Sequence, residues 1–242
     1  MVGASMANHV LLDNISHKNT KIITKRSIDL GDSIPSLVTF PFEYRDIQTN
    51  FPICFCKDSE SGKFYTAALF GFEENENLFF DGDSWDAAYT PLMLERQPFY
   101  IGNQHSQNGE ERRLIYIDMD SPRVSASEGE KLFLEQGGTS EYLQRISSIL
   151  EAIYKGQQQT NEFVELMLKH DLIESFSLKV ELNNGTQNQL QGFYTINEDK
   201  LNGLSCDAIC EIMSSGYLQA AYMVIASMSN FRSLIERKNK RL

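Results

Sequence analysis

The sequence predicts an α+β protein, with antiparallel β-hairpins forming a sheet that packs with C-terminal α-helices. Three observations carry that reading. Short runs of alternating apolar residues fill the first half, most clearly at Phe51–Cys56 and Phe64–Phe72. Between Phe176–Leu182 and Gln189–Ile196 stands Asn183-Asn184-Gly185-Thr186, whose Asn-Gly step tolerates the positive φ angles of a tight hairpin. Apolar residues three and four apart then take over, from Leu143 to Ile153 and again beyond Tyr217.

In chain order, Met1–Ser5 reads as an appended leader with the natural start at Met6. Residues 1–34 form a polar, weakly patterned N-terminal arm with a small apolar cluster at Ile22-Ile23, and residues 35–242 form a single domain with a soft boundary at Gly137-Gly138. In the strand Phe51–Cys56, Pro52 marks either an edge strand or a first residue. The polar turn Lys57–Lys63 leads into Phe64–Phe72, and Leu78–Phe80 supplies a third strand after the acidic loop Glu73–Glu76. Asp81-Gly82-Asp83-Ser84 reads as a turn able to cap a helix, and Pro91 and Pro98 bracket a helical turn. Strands at Phe99–Ile101 and Leu114–Ile117 flank a polar loop, Asn103–Arg113, where proteolysis should begin.

Thr139 is placed to accept a hydrogen bond from an orphan N–H at a helix start, and Glu141 suits the positive end of the dipole. Leu143, Ile146, Ile149, Leu150 and Ile153 then share one stripe. Gly156 and three glutamines predict an end to this helix, with Thr160 capping a second that runs toward His170. A short helix or turn is expected within Asn197–Leu204, a helix through Cys206–Cys210, and a last one from Tyr217 to about Arg237. That last helix would bury Leu218, Tyr222, Ile225 and Met228, and its basic end complements the helix dipole.

A net charge of −11 argues against nonspecific nucleic-acid binding and against attachment to an anionic membrane surface, since both need clustered Lys and Arg. The longest apolar run, Tyr217–Met228, is too short for a membrane span, which takes about 20 residues. Neither Met1 nor Met6 is followed by a basic segment and an apolar core, so no signal peptide and a cytoplasmic location are expected, with signal-independent secretion still compatible. Cys54/Cys56 and Cys206/Cys210 read as reduced, buried small hydrophobes and not as a four-thiolate metal site, which draws its pairs from tight Cys-x-x-Cys turns. No cofactor is expected. Asp81, Asp83 and Asp86 resemble part of a calcium loop but lack its full spacing and terminal Glu, so they read as turn and cap residues.

The densest stretch is Asn77–Gly102. Within it Trp85, Tyr89, Arg96 and Phe99 either line a ligand pocket or form aromatic core. Arg96 can stack on Trp85 or Tyr89, or meet Asp81, Asp83 or Asp86 with two hydrogen bonds.

The ordered blocks Phe51-Pro52-Ile53-Cys54-Phe55, Glu76–Asp81, Trp85–Pro91 and Arg96-Gln97-Pro98-Phe99 resemble the SapC family of bacterial proteins. Leu132-Phe133 before Gly137, Thr160 before Phe163, Leu190–Tyr194 and Gly216-Tyr217-Leu218 extend the resemblance over Pro35 to Leu234. The chain departs from the family where Glu95 precedes Arg96 and Gln97 stands in place of an aromatic residue. The resemblance implies a link with bacterial surface-layer arrays and an accessory role beside other gene products, and it brings no agreed catalytic residues. Residues and resemblance together predict a soluble, non-enzymatic binding or accessory protein whose partner is a peptide, a protein or a small aromatic ligand. The alternatives are an enzyme using Asp81, Asp83, Asp118 or His105, and a structural component of a surface array.

Overall fold

The computed structural model describes residues 8–81, 84–105 and 111–242. Contacts divide the chain into two units, Met1–Asp32 with Leu92–Lys155 and Ser33–Pro91 with Gly156–Leu242. Gly137-Gly138 lies inside the first unit, away from these changeovers.

In the first unit, the strand Glu111–Asp118 pairs antiparallel with Phe99–His105 on one side and His9–Leu11 on the other. Much of the predicted polar loop is therefore strand. Backbone pairing continues through Asn103↔Arg113 and Gln104↔Arg112 because ladder hydrogen bonds do not depend on apolar side chains. Residues 106–110 of that loop lie outside the described residues. The N-terminal segment also carries structure. Val10 sits opposite Ile117, and Lys21–Ile22 lies between Val124–Ser125 and Glu130–Lys131. Ile22, Leu94, Phe99, Ile117, Leu132, Leu143, Ile146 and Leu150 are buried here.

The helix Glu141–Lys169 is unbroken over 29 residues, where the sequence predicts two. Its cap is Ser140, not Thr139, since the Ser140 Oγ accepts from the Leu143 N–H at 3.1 Å. Gly156 does not end it, and packing explains why. A Cβ on Gly156 would come within 2.6 Å of the Phe42 ring and 2.7 Å of the Phe40 ring, so this glycine admits two aromatic side chains to the helix surface. Thr160 is no cap either. Its hydroxyl donates back to the Gly156 carbonyl at 2.9 Å, four residues earlier in the same helix.

The second unit holds a five-stranded antiparallel sheet in the order Ile173–Glu181, Gln187–Ile196, Ile53–Lys57, Phe64–Leu69, Ser36–Val38. Ile53–Lys57 is thus central, and Pro52 precedes its first residue, where no ladder donor is lost. Leu78–Phe80 does not join the sheet. The Asn77 side chain accepts from the Phe79 N–H at 3.0 Å and turns the chain, so Leu78 and Phe79 are buried and Phe80–Asp81 pairs with Ser84–Trp85 instead. Trp85 therefore lies in a strand, and not after a helix-capping turn.

The predicted last helix is two, Leu218–Ser227 and Asn230–Asn239. At the junction the Ser227 hydroxyl donates to the Val224 carbonyl and accepts from the Ile53 N–H, while the Asn230 amide donates to the carbonyls of Gln48 and Phe51. These polar side chains satisfy backbone groups of the loop and strand beside them. The buried face is Ala220, Ala221, Val224, Ser227, Phe231 and Leu234, and Tyr222 is exposed. Small alanines let the helix approach the strands Ile53–Lys57 and Gln187–Ile196, which longer side chains would hold off.

Candidate functional site

One cleft of the second unit, about 320 Å³, lies between the turn Pro41–Arg45, the helix residue Gln159, and the connection Ser215–Met223. Each wall has a local cause. Pro41 at the start of the 3₁₀ turn Pro41–Glu43 fixes φ there and sets Phe42 on the outside, 43% exposed. The connection is shaped by a helix C-terminus. After Cys206–Ser214, Gly216 takes φ 83°, its N–H donates to the Met213 carbonyl at 3.0 Å, and the Tyr217 N–H donates to the Ile212 carbonyl at 3.2 Å. That pair of bonds is a Schellman ending, which needs a residue tolerant of the left-handed region. It reverses the chain and brings Tyr217, Ala220 and Met223 to the cleft.

The chemistry of the lining is mixed. Phe42 and Met223 offer a polarisable apolar surface. Arg45 is exposed and makes no ion pair with any described residue. The Oε1 of Gln159 is buried with no hydrogen-bond partner, a cost in any fold unless something meets it. Tyr217 donates to Glu162 at 2.8 Å, and partial burial together with that carboxylate pushes its phenol up to about 12.

The four residues singled out in the sequence fall in different units, Trp85 and Tyr89 in the second and Arg96 and Phe99 in the first. Trp85 packs against Phe51, Phe70, Phe79 and Phe80 at ring separations of 5.4–6.0 Å, and its indole N–H donates to the Tyr89 carbonyl. The Tyr89 hydroxyl donates to the buried Glu43 at 2.8 Å. Phe99 has no exposed surface. Arg96 stacks over Tyr100 at 4.3 Å and donates to the Phe99 carbonyl at 2.5 Å. Its ring partner is therefore neither Trp85 nor Tyr89, and Asp86 is held by Arg237 at 2.7 Å. Burial lowers the Arg96 pKa below its ordinary value.

The sequence model of one protein family, SapC, matches residues 12–234. The chain belongs to the SapC family. No curated protein and no solved structure matches it significantly. The blocks that carry the SapC resemblance are largely architectural in this chain. Phe51–Phe55 enters the central strand, Trp85–Pro91 closes an aromatic cluster, and Gly216-Tyr217-Leu218 makes the Schellman turn that walls the cleft.

The acidic candidates are dispersed. Asp118 ends a strand and accepts from the Asp120 N–H at 3.1 Å, Asp81 lies in the short ribbon with Trp85, and Asp83 lies outside the described residues. His105 closes the strand Phe99–His105, and its side chain also lies outside what is described. Among the described residues no three His, Cys, Asp or Glu side chains converge as metal ligands. Cys54 is buried as predicted, but Cys206 and Cys210 are exposed. Their helix buries only Ile212, so positions four apart on the opposite face meet solvent.

No single helix among the described residues is long and apolar enough to cross a membrane. Sequence reasoning missed Phe42, Arg45 and Gln159. Their common cleft depends on a helix that the sequence reading ends at Gly156 and the glutamines, and no periodicity reports such a juxtaposition.

Proposed function

We propose that this SapC-family protein is a non-enzymatic binding or accessory protein that takes a peptide segment, free or within a partner protein, bearing an aromatic or apolar side chain beside a carboxylate. A small aromatic acid is the minimal form of the same ligand. The observation that carries this reading is the set of unmet groups around one cleft. Arg45 offers a planar, always charged donor fork with no acid of the described chain on it. Phe42 offers an exposed ring, and the Gln159 carboxamide has a buried oxygen that would gain from a donor such as a peptide N–H. Apolar surface with a few convergent polar groups is the usual make-up of a ligand site.

N-acetylphenylalanine carries all three complements and serves as the probe. Titrated into the whole chain and followed by amide chemical shifts, it is expected to move Phe42, Arg45, Gly216 and Met223. Arg45→Gln should weaken binding about tenfold, the worth of one charge-assisted contact. Shifts confined to other regions, or unaltered affinity in both Arg45→Gln and Phe42→Ala, would defeat the reading.

A further inference from the structure

The first unit carries a second cleft, about 270 Å³, lined by Lys18, Asn19, Lys21, Ala126, Lys131, Phe133, Leu134 and Glu135. On a chain of net charge −11, three ammonium groups around one opening are a local inversion of sign. Two of them are forced together by the backbone. In the pairing of Lys21–Ile22 with Glu130–Lys131, Lys21 lies directly opposite Lys131, so both side chains leave the ribbon on one face with Cβ atoms about 5 Å apart. Like charges placed so are destabilising unless an anion lies between them. Among the described residues none of the three lysines forms an ion pair.

The ribbon cannot easily slip to relieve this. Gly129 turns with φ 103°, and a Cβ there would sit 2.3 Å from the Ile22 carbonyl oxygen, so the strand is clamped against its neighbour. The Lys21 ammonium donates to the Ser127 carbonyl at 2.6 Å, which fixes one charge at the rim. Beside these charges Leu134 is 54% exposed, an apolar surface that a bare inorganic ion would leave wet. Glu135 is the one carboxylate in the lining and would turn away a ligand that carries charge along its whole length.

We propose that this cleft binds a phosphate monoester carried on an apolar body, the phosphate between Lys21, Lys131 and Lys18 and the body against Leu134. Lysines bind phosphate as point charges, and a compact dianion is the group that best neutralises several at once. The site is separate from the Arg45 cleft and does not rest on it.

Phenyl phosphate and vesicles of phosphatidylcholine with or without phosphatidate distinguish a soluble ester from a lipid headgroup. Titration of the whole chain, with sodium chloride at matched ionic strength as control, is expected to show binding to at least one of the two sources. Lys131→Gln should weaken that binding about tenfold. Lys18→Gln lies outside any strand, so it repeats the test without touching the ribbon. Binding to neither source above the chloride control would overturn the proposal, as would undiminished affinity in both variants.

Discussion

The Arg123 guanidinium meets the Asp32 carboxylate at 2.5 Å with 1% and 0% of the two side chains exposed. The pair is embedded in further bonds. Arg123 also donates to the carbonyls of Ile23 and Lys25, and Asp32 accepts from the Ser27 N–H at 2.8 Å. It ties the segment before Asp32 to the Ser121–Val124 turn, joining parts of the first unit that are 91 residues apart in sequence.

Removing Arg123 takes the nearer of two cations from a buried carboxylate, which keeps the Arg26 guanidinium at 3.4 Å. Arg123→Met is therefore expected to destabilise the first unit by about 3 kcal/mol, the low end for breaking a buried pair. Asp32→Asn keeps an acceptor for Ser27 but leaves the Arg26 and Arg123 guanidiniums facing each other without their shared acid, so it should cost at least as much. The double variant should be more stable than the sum of the two losses predicts, by at least about 0.5 kcal/mol. Urea midpoints of the four proteins check this, and strict additivity would mean that the two groups do not depend on each other.

Gly156 gives a prediction whose sign opposes helix propensity. In a solvent-facing helix, Gly→Ala stabilises by about 1 kcal/mol. Here the new methyl meets Phe40 and Phe42 at 2.6–2.9 Å, and Phe40 is buried, so overpacking should cost about 1–3 kcal/mol and win. Gly156→Ala is therefore expected to lower the melting temperature, and a rise would show that the two rings give way freely.

The same glycine shows where sequence reading stops. Both hairpins were legible because alternation and the Asn-Gly turn act locally, and the Leu143–Ile153 stripe was legible because its period is local too. Gly156 read as a breaker because composition reports propensity, while the reason for glycine lies in Phe40, more than a hundred residues away. The N-terminal strands were hidden for a related cause. His9–Leu11 and Lys21–Ile22 are only three and two residues long, too short to show an alternation, and they exist through pairing with Glu111–Asp118 and Glu130–Lys131. Of the candidate sites, Gly216-Tyr217 was visible as a family block, but Arg45 and Gln159 carry no local signal.

The thiols divide by position. Cys206 and Cys210 face solvent on one helix, Cys54 is buried in the central strand, and burial pushes the Cys56 thiol up to about 11. Because the thiolate is the reactive form, a disulfide reagent at neutral pH should modify Cys206 and Cys210 quickly and the strand pair only on unfolding. Cys206→Ser with Cys210→Ser should abolish the fast phase. Persistence of that phase would place reactive sulfur in the sheet.

The last prediction concerns acid. The Glu211 carboxylate accepts from the Lys169 ammonium and lies 3.0 Å from the His170 Nε2, linking the end of the long helix to the helix Cys206–Ser214. The Lys169 hydrogen bond foremost, then the one from His170, holds its pKa below the ordinary 4.5. A carboxyl whose pKa is lower in the folded state contributes stability that is fully present above its unfolded value and is lost as pH falls through the folded one. The loss from this group therefore begins near pH 4.5 and grows below it. Asp13 and Asp58 add to the same acid limb, their carboxyls lowered by the backbone N–H groups of Ser16 and Ile15 and by the Ser61 side chain. Glu211→Gln removes one contributor only. Melting temperature measured between about pH 3 and pH 6 should thus fall less steeply in the variant than in the parent, with the two curves converging at the acid end. The site is exposed and its ion pairs are screened, so the gap near pH 6 should be small and should shrink with added salt. Parallel curves with a constant offset would assign Glu211 a packing role and leave its charge without effect on stability.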